Sequence, residues 1–292
     1  MSATYAELLD ATIQYLEGLK SRGVRHVAIA PETLCALAQP VKFPISNRQP
    51  PIAPLPATTP SAAPEILPAG ALEPEKSEIE NRKSEMEKAA AFADLRARAL
   101  ACVKCPHLAS SRQNVVFGVG NVNADLMFVG EAPGADEDVQ GEPFVGKAGE
   151  LLTKIILATG LKRSDVYIAN ILKCRPDTPG QSSGNRKPTP EEMQTCIPYL
   201  HEQIDLIRPK VLVALGATAV EGLLGKTIGI TKLRGNWREY RGIPLMPTYH
   251  PAYLLRNQAM AEKRKVWEDM LAVMEKLGMP ISEKQRNFFL KA

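Results

Sequence analysis

From Asp125 onward the chain alternates short apolar runs with amphipathic stretches, an order that few folds accommodate. The runs are DLMFVG, VYIANILK, VLVALG and PLMPTY, and between them lie AGELLTKIILATG, TPEEMQTCIPYLHEQIDLI and ATAVEGLLG. A short continuous apolar run suits a strand buried on both faces, and apolar residues three and four apart give a helix one face to lay against it. The alternation therefore predicts an α/β fold of three layers, α/β/α, around a central, mainly parallel four-stranded sheet. One helix carries its own start signal: Thr189 at the N-cap, Pro190 in the first turn and Glu192 three residues on. In open sheets of this kind ligands bind beyond the carboxyl ends of the strands. Here those ends lead into GEAPG, Asn170 and His250, so three candidate groups share one rim.

Upstream of Asp125 the pattern is different. Residues 1–38 read as a small helix-strand segment, with Tyr5, Leu8, Leu9, Ile13, Leu16 and Leu19 on one helical side and a strand from Val24 to Ala30. That is too little apolar surface for an independent core. Residues 39–75 read as a linker, because ten prolines fall between Pro40 and Pro74 among Ala, Ser and Thr, a composition that favours extended conformations. The remaining segment, 76–292, opens with a charged helical stretch to about Ala101 and continues through a cysteine pair into the alternating region.

No run approaches the roughly 18 uninterrupted apolar residues of a membrane span, and the N-terminus is acidic and amphipathic rather than signal-like. The expectation is a cytoplasmic monomer with no membrane association. Five cysteines in a reducing compartment point to metal binding or inert core rather than disulfides. The net charge of +4 is mild, but nine Lys or Arg stand against two Glu between Lys226 and Lys265. A solvated helix face has such a composition, and so does a surface that meets nucleic acid.

Two constellations carry chemistry. The first is GEAPGADEDVQGEPFVGKAGELL, Gly130 to Leu152, which leaves a strand and enters a helix; its glycines allow tight turns and close approach of a ligand to main-chain amides. It contains neither GxGxxG nor GxxxxGK[ST], and Glu131, Asp136, Glu137 and Asp138 would repel phosphates, which argues against a nucleotide loop. The second is cysteine. Cys102 and Cys105 form a C-x-x-C pair followed by Pro106, while Cys174 and Cys196 each stand alone. Structural zinc usually takes two close pairs. Four thiolates match an iron–sulfur cluster in number and type. Cys35 reads as a small buried hydrophobe.

GEAPG followed by ED and GEPFVGKAGELL, together with YIANILKCRP and TYHPAYLLRN, resembles the family-four uracil-DNA glycosylases, the thermostable-type branch with a four-iron four-sulfur (4Fe-4S) cluster. The likeness runs from about Cys102 to Trp267 with the motifs in family order. It implies an enzyme that hydrolyses the N-glycosidic bond of a flipped deoxyuridine in uracil-containing DNA, single- or double-stranded, to start base excision repair. Such cleavage passes through an oxocarbenium-like sugar and a departing uracil anion, so the site must stabilise negative charge on the base and deliver water to C1′.

The resemblance makes His250 the donor to uracil O2, Asn170 the amide that pairs with O4 and N3–H, and Phe144 the ring stacked on the flipped base, with Gly130 and Ala132 in the substrate loop. On the residues alone, a structural histidine, a turn-capping asparagine and a core phenylalanine are the competing readings. Glu131 and Glu137 are candidates for orienting water, balancing charge on the sugar or walling off C5; Glu131 and Asn170 rank ahead of Glu137 for water. Ala132 stands where another glycosylase branch has a water-activating Asp. Cys102, Cys105, Cys174 and Cys196 become the implied cluster ligands. Lys232, Arg234, Arg238 and Arg256 become candidates for phosphate contact, and Leu254 and Leu255 for a wedge into the gap left by the flipped nucleotide. The loop DTPGQSSGNRKP is longer than the family's and is a candidate for tuning substrate choice.

Two relatives compete with a monofunctional glycosylase. One is the branch that becomes covalently attached to the abasic sugar, marked by GEQPG and a basic loop ending in His; this chain has Ala132 and no His between Cys174 and Cys196. The other is a DNA-binding module without turnover, which should have lost Asn170 or His250. The N-terminal segment is left as a candidate contact for repair or replication proteins.

Overall fold

The computed structural model describes residues 74–178, 185–225 and 228–290. Its sheet has six strands, β1 (Val119–Gly120), β2 (Leu126–Gly130), β3 (Tyr167–Asn170), β4 (Val211–Leu215), β5 (Arg238–Tyr240) and β6 (Ile243–Thr248), in the spatial order β1-β3-β2-β4-β6-β5. The four inner strands are parallel and are the four apolar runs of the sequence. β2, β3 and β4 are buried at every residue, which is why they read as continuous apolar runs.

The two outer strands are antiparallel additions. β1 is only two residues long, too short to show a period. β5 is Arg-Glu-Tyr, and its first two residues are exposed. It joins β6 through Arg241 and Gly242, whose φ values of 51° and 76° give the two positive dihedrals of a tight hairpin turn.

Ten helices accompany the sheet among the described residues: α1 (Pro74–Leu100), α2 (Pro106–Ser111), α3 (Ala135–Gln140), α4 (Lys147–Ala158), α5 (Pro190–Ile207), α6 (Ala217–Leu224), α7 (Ile230–Leu233), α8 (Pro251–Arg256), α9 (Met260–Lys276) and α10 (Glu283–Arg286). Alternate strand residues face opposite layers. Leu126, Phe128, Val211 and Val213 meet Leu152 and Ile156 of α4 and Trp267 and Met270 of α9. Met127, Val129, Leu212 and Ala214 meet Leu200 and Ile204 of α5 and Ala219 and Val220 of α6. Each large apolar side chain removed from water this way contributes about 1.5–3 kcal/mol. The result is the expected α/β/α stack.

The start of α5 is the capping box read from the sequence: Thr189 Oγ1 accepts from Glu192 N at 3.2 Å and Glu192 Oε2 accepts from Thr189 N at 2.8 Å. The charged stretch before the cysteines is α1. Leu95 and Ala99 near its end are buried with Phe117 and Tyr199. The segments assigned to 1–38 and 39–75 lie outside the described residues, apart from Pro74 and Glu75 at the start of α1, and so does Cys35. Among the described residues no helix is long and apolar enough to cross a membrane. β3 lies on one side of β2, while β4 and β6 lie on the other. The crevice where such connections part is where a sheet of this kind receives a ligand.

Candidate active site

Three strand ends converge on a pocket lined by Ala132, Gly134, Glu137, Phe144, Ala148, Asn170, Asn185, His250 and Ala252. Gly130 closes β2 beneath it. A Cβ there would come within 2.6 Å of the Phe144 ring and would also strike the Asn170 amide oxygen, so the strand end can pass under both only as glycine.

Phe144 has φ of 55°, a left-handed conformation that costs a bulky residue on the order of 1–2 kcal/mol. Its neighbours hold it there. Glu137 Oε1 accepts from Val145 N at 3.0 Å and Gly146 N at 3.2 Å, and Oε2 accepts from Gly134 N at 3.0 Å. From the other side the Arg163 guanidinium donates to the Pro143 carbonyl. The ring that results is buried and stacks on His250, with centroids 5.4 Å apart and planes at 29°.

Asn170 ends β3 opposite Gly130. Its Oδ1 is buried without a hydrogen-bond partner, the one such side-chain atom among the described residues. Leaving a buried acceptor unsatisfied costs roughly 1–3 kcal/mol, so this oxygen is a standing invitation to an N–H donor entering the pocket. His250 is the N-cap of α8, and its Nδ1 accepts from Ala252 N at 3.1 Å. A backbone N–H can only donate, so a neutral ring must carry its proton on Nε2. Burial, and after it the charge of Arg256, pushes the His250 pKa down to about 4, which makes the neutral ring the form present at neutral pH. Glu131 is half-buried just after β2 and does not line the pocket.

The four cysteines come together on the α5 side of the sheet. Cys102 and Cys105 lie between α1 and α2, Cys174 follows β3 and Cys196 is on α5; they line one cavity with Leu108, Arg112, Leu172 and Thr195. All four are free thiols. Burial pushes Cys105 and Cys174 up and Cys196 up to about 12, so without a cation beside them these sulfurs stay protonated. Two of them already receive donors: Arg112 Nη1 on Cys174 Sγ at 3.1 Å and Lys173 N on Cys196 Sγ at 3.2 Å.

Among the described residues no three His, Cys, Asp or Glu side chains meet closely enough to hold a single metal ion. A four-iron cluster asks for another arrangement. Each thiolate binds its own iron, so four sulfurs standing around a cavity, with N–H donors on some of them, fit it.

The profile of the uracil DNA glycosylase superfamily matches residues 117–271. A type-4 uracil-DNA glycosylase of Thermotoga maritima is 49% identical over 172 residues, 58% of this chain and 85% of the relative. The chain belongs to the type-4 uracil-DNA glycosylases. A second type-4 enzyme, of Archaeoglobus fulgidus, is 39% identical over 198 residues, 65% of this chain and 93% of the relative. The type-5 uracil-DNA glycosylase of Pyrobaculum aerophilum is further away, at 31% over 193 residues, covering 55% of this chain and 82% of the relative.

Within this family member the residues assigned to DNA divide. Lys232 and Arg256 are exposed, as phosphate contact requires. Arg234 is corrected: its guanidinium pairs with the buried carboxylate of Asp269, donates to Lys265 O at 2.6 Å and lies 5.7 Å from the centre of the Tyr249 ring. A carboxylate buried in the fold needs a counter-charge, and Arg234 supplies it. Leu254 is corrected too. It packs with Tyr249 and Val266, and only Leu255, 38% exposed, remains for the wedge, because adjacent helical residues point about 100° apart.

Three pocket residues were not legible beforehand: Ala148, Ala252 and Asn185. Asn185 follows residues 179–184, which lie outside the described residues; its Oδ1 accepts from Arg175 Nε at 2.8 Å and its backbone bridges to Asp177. An asparagine in a Gly/Ser-rich stretch looks like any turn residue.

Proposed function

We propose that this chain is a monofunctional uracil-DNA glycosylase: it hydrolyses the N-glycosidic bond of a deoxyuridine flipped out of DNA, and its four-cysteine cavity holds a 4Fe-4S cluster. The observation that carries the reading is the orphaned Oδ1 of Asn170 in a pocket shared with the Phe144 ring and the His250 Nε2–H. Uracil supplies an N3–H for that oxygen and an O4 acceptor for the Asn170 amide hydrogens, whereas cytosine presents the opposite pattern at both positions.

Phe144 gives the flipped base a face to stack on. As the C1′–N1 bond breaks, its electron pair leaves with uracil and negative charge gathers on O2. A neutral His250 donates a hydrogen bond to that oxygen, and a donor aimed at developing charge typically contributes about 10²–10³-fold in rate. Water then bonds to C1′ and its proton is released, leaving free uracil and an abasic sugar.

A carboxylate has roughly four lone-pair sites. Backbone N–H groups take three on Glu137, which leaves one for a water at the pocket wall. Glu131 can act on water only from outside that wall. No lysine lines the pocket among the described residues, which supports hydrolysis without a Schiff base or strand cleavage. When bound, the cluster supplies metal–thiolate cross-links between the α1–α2 turn, the exit of β3 and α5.

The test is excision from labelled oligonucleotides carrying U:G, U:A or single-stranded uracil. The expected result is free uracil and a strand that breaks only after alkali. Iron-loaded protein that releases no uracil from any of the three overturns the reading.

A further inference from the structure

We propose that Lys173 is a positioning residue of the uracil site, whose buried ammonium fixes the peptide that aims the Asn170 amide. This rests on Asn170 being the group that reads uracil. An amide that must meet a ligand with its own donors and acceptors cannot be oriented through them, and Asn170 Oδ1 is indeed unpartnered. Its direction has to come from the backbone.

The peptide unit that joins Asn170 to Ile171 is held at both polar ends. Its N–H, on Ile171, donates to Gly130 O at 3.0 Å, and its carbonyl, on Asn170, accepts from Lys173 Nζ at 3.0 Å. The first bond belongs to the sheet. The second comes from a side chain that is 2% exposed and has no carboxylate partner among the described residues.

A buried ammonium without a counter-ion is costly, and an apolar side chain of similar length would fill the same space at less cost. What the ammonium adds is direction. Besides Asn170 O it donates to Gln203 Oε1 at 2.7 Å, and Gln203, fully buried, donates in turn to Phe117 O and to the Tyr167 hydroxyl, each at 3.0 Å. Three elements are thereby tied to one carbonyl: the exit of β3, the helix α5 and the segment before β1. The Lys173 backbone is itself fixed, because its N–H donates to Cys196 Sγ and its carbonyl accepts from Val116 N at 2.8 Å. The cysteine cavity and the base-reading amide thus share one residue as their common brace.

The experiment compares full-length, iron-loaded parent with Lys173→Met, Lys173→Gln and Gln203→Met. It measures iron per chain, single-turnover uracil excision, inhibition by free uracil, and affinity for a duplex carrying an abasic-site analogue that offers Asn170 no base. Misplacing a group by about 1 Å can cost on the order of 10²-fold. The expectation for Lys173→Met is unchanged iron and abasic-site affinity, an excision rate lower by about 10–100-fold and free-uracil inhibition weaker by about tenfold. Lys173→Gln, which keeps an N–H donor, should recover part of both losses.

The proposal is overturned if Lys173→Met with full iron excises within about threefold of the parent, or if abasic-site affinity falls in step with rate. If Lys173→Met cannot hold iron, Gln203→Met, which touches no cysteine, must show the same split or the proposal fails. A parent protein that releases no uracil overturns the functional reading itself, a different outcome from an active parent with indifferent variants.

Discussion

In the proposed reaction His250 serves a departing anion because it is neutral. A ring with its pKa near 4 keeps the Nε2–H donor in place throughout the physiological range, and gains a second proton only in acid. The folded state therefore binds fewer protons than the unfolded chain between roughly pH 4 and pH 6.5, and stability from this group rises with pH across that window and is lost on acidification through it. Excision should show no inflection near pH 6.5 that belongs to His250, as a single-turnover rate profile would reveal. His250→Ala should lower the rate on the order of 10²-fold with much less effect on DNA binding. Equal losses in both would make it a structural residue. Arg234 and Arg256 show where residue-scale reading stops, since a count of basic residues cannot tell that Asp269, 35 positions further on, has already taken one of them.

Within a helix, phase decides which side chain is exposed. Leu254 and Leu255 are indistinguishable in the motif, yet the phase of α8 turns one to the core and the other outward. Leu254→Ala should therefore destabilise the fold by about 2–5 kcal/mol in denaturant unfolding. Leu255→Ala should leave stability within about 0.5 kcal/mol and slow excision more on duplex than on single-stranded DNA, where there is no gap to fill.

The loop carrying Phe144 is held from outside by Arg163, which the motif did not single out. Arg163→Met removes the donor to Pro143 and should let the strained φ relax, raising the concentration of uracil DNA needed for half-maximal rate before it lowers the rate itself; an unchanged KM would show that Glu137 holds the loop alone. The inner strands were readable because burial on both faces leaves an unbroken apolar run. β5 was not, because an edge strand owes its pairing to a neighbour and a turn rather than to its own side chains.

At the scale of the whole molecule, the cysteine cavity gathers segments that are far apart in sequence, and protonated thiols cannot hold them. Anaerobically purified protein should be brown, with about four irons per chain. Replacing Cys174 with Ala should lower unfolding stability by about 4 kcal/mol or more, the range in which loss of a metal centre belongs. Stoichiometric zinc in protein grown with ample iron would show that the cavity holds a different metal. Asn170 and Cys174 were each legible as a motif member; that one buried lysine stands between their two sites was not, since a lysine in an apolar run reads as an interruption.

That closeness sets a rule about length. Between Asn170, the proposed reader of the base, and the first cysteine beyond β3 lie Ile171, Leu172 and Lys173, all buried. One residue more or fewer would move either the amide off the base or the sulfur out of its cavity. The spacer works as a ruler, intolerant of insertion. Chains of this family should agree to the residue in the length of this spacer.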